Sequence, residues 1–147
     1  MSITIAKKPE LDLNGERWVE IAPGAQLLVG SMASPMYLSH LAVLNRHAGA
    51  VNSQYGVGSA DFSIANLPDY ELENTDSLYF ELVATHLVKD WKGIDVEDAP
   101  GVPAKYSPAL CTALFKQMDS AYFAVLKAAT DIAKRVEQQA ADTAEKQ

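Results

Sequence analysis

Three histidines, one cysteine, a glycine pair and an acidic run are the parts of this sequence able to do chemistry. An imidazole can ligate a metal or carry a proton near neutral pH. His40, His47 and His86, however, have no carboxylate or cysteine at ligand spacing. His40 and His47 can share a helix face, but two ligands from one helix do not close a zinc site, so all three read as packing or surface histidines. Cys111 falls on an apolar helical stripe with no histidine close in sequence, which reads as a small core residue rather than a nucleophile. Gly56-Val57-Gly58 follows no clear strand, opens no clear helix and lacks a nearby lysine for phosphate, so these read as loop glycines. Asp69, Glu71, Glu73 and Asp76 precede a helix, where carboxylates suit the positive end of the helix dipole; the sharper reading is an acidic rim that attracts a basic or amphipathic partner. No catalytic, cofactor-binding or metal-binding residue is assigned, and the chain is expected not to be an enzyme.

Composition narrows the partners. The 147 residues make one domain able to bury a core, and a formal net charge of −7 repels phosphate backbones and anionic lipid. No segment approaches the roughly 20 apolar residues of a membrane span. Nucleic acid and membrane are therefore not expected partners. One cysteine allows no intrachain disulfide, in keeping with a cytoplasmic site of action.

The elements that must position these residues give an α+β fold, predominantly helical, with an N-terminal β-hairpin or small antiparallel sheet. One domain is expected over residues 1–142, followed by a polar tail at 143–147. Within 1–31, the runs flanking Pro23-Gly24 read as a hairpin, with Ile3-Thr4-Ile5 a candidate third strand. A helix is expected over 34–48, with Ser34 as N-cap, Pro35 in the first turn and Gly49 as the stop; Tyr37, Leu41, Leu44 and Ala48 form its core stripe. Residues 49–75 read as loop-rich, with a short helix or strand near 62–67. The spacing of Tyr79, Leu82, Val83, His86, Leu87 and Trp91 predicts a helix over 76–92, stopped by Gly93. Helices are expected again over 107–142, the second from about Asp119.

Two aromatic pairs raise the question of a binding face. Tyr79 and Phe80, like Tyr122 and Phe123, point about 100° apart on a helix, so one member of each pair can fall outside a narrow core stripe. Surplus apolar surface of that kind suits a helix-in-groove binder or a self-associating subunit. These four residues are the candidate partner-binding positions; a wide buried face is the alternative reading.

The stretch from Trp91 to Pro108 is the most heavily punctuated in the chain. Trp91 closes an apolar run, Gly93 permits a positive φ, and Tyr106-Ser107-Pro108 starts the next helix with a Ser-Pro device. The order Val88, Asp90, Trp91, Gly93, Ile94, then Asp98, Gly101 and Pro103, then Tyr106, Ser107 and Pro108 resembles the tail assembly chaperones of long-tailed bacteriophages. The chain departs from that pattern at Ala104-Lys105, where an apolar residue and a proline are usual.

The resemblance implies a small phage protein, without cofactor, that binds the tape measure protein, a long helical and partly apolar chain. It would keep that chain soluble in the host cell cytoplasm while tail tube protein polymerises around it, and would be absent from the mature virion. Homo-oligomerisation is compatible with this reading. Trp91, Gly93, Tyr106, Ser107 and Pro108 are expected to be fold determinants rather than partner contacts. The alternative is a phage structural subunit retained in the virion, a minor tail or tail-completion protein that uses its hairpin for edge-to-edge assembly. A hydrolase with its site in residues 49–75 is the third reading, and no residue constellation speaks for it.

Overall fold

The computed structural model describes residues 2–7, 10–67 and 75–135. Its described elements run β1 (Glu16–Ala22), β2 (Ala25–Gly30), α1 (Pro35–Gln54), a 3-10 turn (Ile64–Asn66), α2 (Thr75–His86), β3 (Val88–Lys92), α3 (Pro108–Gln117) and α4 (Asp119–Ala133). The α+β class expected from the sequence is the class observed.

The hairpin forms where the turn signals place it. Gly24 takes φ +81° in the β1–β2 turn, a value that glycine adopts without a Cβ penalty. The two strands pair antiparallel from Glu16 with Gly30 to Ala22 with Ala25. The third strand is not Ile3–Ile5, whose two isoleucines are 96% and 93% exposed, but β3, which pairs antiparallel with β2 and gives the order β1-β2-β3.

A bulge explains why β3 reads as helix in sequence. The register shifts between Leu28 and Val29, so that Val88 opposes Val29 and Trp91 opposes Leu27. The extra residue brings Val88 and Trp91, three apart, onto the same core-facing side. An i,i+3 apolar spacing is the helical signature, and here the bulge produces it within a strand. The helix expected over 76–92 therefore stops at His86, and Gly93 caps no helix. Its φ of +72° is real, but its role is close approach: a Cβ there would lie 1.9 Å from the Gly24 carbonyl oxygen.

The core lies between the sheet and the helices. Leu27 and Val29 of β2, Val83 and Leu87, Phe115 of α3, and Val125 and Ala129 of α4 are buried together. α4 lies across β1 and β2, α3 packs between α2 and α4, and α1 packs on α2. At their usual value of about 25 cal/mol per Å², such apolar contacts are the main source of stability. On the opposite sheet face, the Lys92 ammonium sits 4.0 Å from the centre of the Trp18 ring, a cation–π contact.

The remaining boundaries shift in instructive ways. α1 continues through Gly49 to Gln54, and the chain turns at Gly56 and Gly58, both at positive φ. Ser34 precedes Pro35 as expected, yet its side chain makes no capping hydrogen bond. Ser107 does cap: its hydroxyl accepts from the Leu110 N–H at 3.1 Å. The described part of the 107–142 region holds two helices, separated at Met118 (φ −143°, ψ 81°). Asp69, Glu71, Glu73, the end of the last predicted helix and the 143–147 tail lie outside the described residues.

Candidate functional site

The Trp91–Pro108 block is an internal staple. The Trp91 indole N–H donates to the Ala104 carbonyl at 2.8 Å, and the Tyr106 ring meets the indole edge-on with centroids 5.0 Å apart. The Tyr106 hydroxyl donates to the Ala84 carbonyl of α2, and the Ala104 N–H donates to Ile94 at 2.9 Å. Both hydrogen bonds of residue 104 use its backbone, and its methyl group packs against the core. Gly93 turns the chain from β3 into this loop. Trp91, Gly93, Tyr106 and Ser107 thus make contacts within the block or with the adjoining elements, and Pro108 stands in the first turn of α3.

Cys111 belongs to the same packed region. Burial pushes its thiol up to about 11, with a smaller opposing effect from the Tyr106 hydroxyl. A thiol so raised stays protonated at neutral pH and is a poor nucleophile.

The four aromatic candidates separate cleanly. Phe80 packs against Tyr122 at 4.6 Å and Phe115 at 6.0 Å between centroids. Tyr122 lies against the core, and burial leads the causes that push its phenol up to about 12. The half-buried Tyr79 donates its hydroxyl to Asn45 Oδ1 at 2.6 Å, tying α2 to α1. Phe123 alone of the four is presented to solvent, at 61% exposure.

An open apolar groove lies instead between α1 and α2. A hollow of about 650 Å³ is lined by His40, Val43, Leu44, His47 and Leu78. It runs into a second hollow of about 300 Å³ that shares His40, Leu44 and Leu78 and ends at Thr85 and His86. Val43 is 59% exposed on its edge. α1 can present such a surface because its core stripe is narrow: Tyr37, Leu41, Leu44 and Ala48 face inward, while Met36, Leu38 and Val43 remain exposed. A contiguous exposed apolar patch is a recognised mark of an interaction surface.

The groove also unites two histidines that lie 46 residues apart. His40 Nδ1 and His86 Nε2 share a hydrogen bond of 2.8 Å, with the rings edge-to-face at 4.7 Å. Partial burial, then the neighbouring His40 ring, then the Lys89 ammonium hold His86 below the ordinary imidazole value. Lys89 is fixed there by donating to the His86 carbonyl at 3.0 Å. Among the described residues, no group of three or more His, Cys, Asp or Glu side chains converges as a metal site would require.

Sequence reasoning missed this groove. Val43 and Leu78 are single aliphatic residues beside the expected stripes, and the contact of His40 with His86 depends on how α1 crosses α2. The available signal lay in Val43 and Leu78, aliphatic residues left over once the two stripes are assigned.

No described helix is long and apolar enough to cross a membrane. A family model described as the YdaY prophage protein matches residues 32–146. That span includes every described helix, both groove-forming elements and the whole Trp91–Pro108 block, while the β1–β2 hairpin precedes it. Protein YdaY of Escherichia coli (strain K12) is 32% identical over 117 residues, covering 79% of this chain and 97% of that protein. No solved structure matches. The phage association implied by the Trp91–Pro108 resemblance is therefore supported at the level of a prophage protein, and the chain belongs to the YdaY prophage protein family.

Proposed function

We propose that this prophage protein is a tail assembly chaperone that binds the tape measure protein, keeps it soluble and promotes tail tube assembly in the host cytoplasm. The observation that carries the reading is the open apolar groove between α1 and α2. A groove between two helices accepts one apolar face of a third, with affinity drawn from side chains at i, i+3, i+4 and i+7 of the bound helix. A long, helical and partly apolar client presents such faces repeatedly. The chain's net charge of −7 keeps a loaded chaperone soluble by repulsion between complexes. In this reading the protein acts without catalysis or cofactor and leaves before the virion is complete.

Co-expression with the tape measure protein of the same genome tests the proposal. The expected result is a soluble tape measure protein that co-purifies with this chain. A tape measure protein equally insoluble with and without this chain contradicts it.

One observation favours a second reading, a structural subunit retained in the particle. β1 is an edge strand of seven residues, and an unpaired edge is a template for pairing with another chain. Detection of the chain in purified virions would favour this reading over the first.

A further inference from the structure

We propose that the His40–His86 hydrogen bond is a proton-operated latch that holds α1 to the end of α2 at neutral pH and releases when both imidazoles are protonated. The proposal goes beyond the chaperone reading and does not depend on it.

The geometry carries the argument. One ring must donate and the other accept across the 2.8 Å contact, so at least one imidazole has to be neutral. Either the neutral or the singly protonated pair satisfies that requirement. Two imidazolium rings do not, since both nitrogens are then donors and the charges repel. The pair sits where a small displacement matters: His40 and His86 both line the smaller hollow with Leu44 and Leu78, so parting the rings reshapes the groove wall.

Other charged groups set the balance. Lys89, next to His86 from β3, opposes a second proton. Glu81 of α2 lines the same hollow, and Glu16 of β1 lines another hollow together with His86 and Lys89; neither carboxylate is among the causes of the His86 shift. His86 is held below its ordinary value, with burial the largest cause. A histidine lowered in the folded state binds protons more readily when unfolded. Its contribution is therefore complete above the unfolded value of about 6.5 and is lost as pH falls from there through the lower folded value.

A double-mutant cycle with His40→Gln, His86→Gln and the double variant, read by denaturant unfolding of the full chain, tests the latch. At about pH 7.5 the two sites should be coupled by roughly twofold to fivefold in the unfolding constant, the effect of one exposed hydrogen bond. At about pH 5 the coupling should vanish or reverse sign. In parallel, the methyl resonances of Leu44 and Leu78 should move with pH over this range in the wild type and move clearly less in the double variant, where His47 still lines the hollow. Coupling of the same size at both pH values, absence of coupling at neutral pH, or leucine methyls indifferent to the titration would each overturn the proposal.

Discussion

The Trp91–Pro108 block and the α1–α2 groove are opposites in how they use their side chains. In the block, a tryptophan, a tyrosine, a serine and a positive-φ glycine each have an internal partner: Ala104, Ala84, Leu110 and the close-passing Gly24 backbone. In the groove, aliphatic residues and histidines together line a surface open to solvent. The conspicuous residues between Trp91 and Tyr106 are engaged within the fold. The open groove sets inconspicuous aliphatic residues, Val43 and Leu78 among them, beside histidines.

That division can be broken by substitution, and the largest effect belongs to the block. Trp91→Ala removes a large side chain that is only 7% exposed and should cost about 3–5 kcal/mol, read by urea or guanidinium unfolding. Gly93→Ala comes next, at roughly 2–4 kcal/mol, because it combines left-handed strain with a Cβ driven into the Gly24 carbonyl. Neither variant should affect client binding by any route other than loss of folded protein. A folded Gly93→Ala protein that fails to bind would move the contact face to the block.

The groove should behave in the reverse way. Val43→Asp, at a residue 59% exposed, should change stability by no more than about 0.5–1 kcal/mol, yet abolish solubilisation of the tape measure protein, since an uncompensated charge in an apolar contact is heavily penalised. Phe123→Ser should have the smallest effect on stability, within about 0.5 kcal/mol, because the ring projects into solvent from α4. If it leaves solubilisation intact, Phe123 is excluded from the contact face; a loss would add α4 to that face.

Much of this architecture is legible from residue patterns alone. Pro23-Gly24 marks the hairpin turn, Ser107-Pro108 marks the start of α3, and the Tyr37–Ala48 stripe marks the inner side of α1, because each depends on local chemistry. The failures are non-local. Val88 and Trp91 carry helical spacing, and only pairing with β2, with a bulge at Leu28–Val29, makes them one face of a strand. Gly49 is a plausible stop, but a helix with a packed stripe tolerates a glycine at about 1 kcal/mol, so α1 runs on to Gln54. The histidine pair and the groove exist only after α1 is laid against α2. No local spacing connects residue 40 with residue 86.

The central claim is that α1 and α2 supply the contact face while the Trp91–Pro108 block maintains the fold. Hydrogen–deuterium exchange of the chain, free and in complex with the tape measure protein, measures this most directly. The account predicts new protection over residues 40–47 and 78–86 and unchanged exchange over 93–106. Protection confined to the 93–106 loop, or no complex to measure, would contradict it.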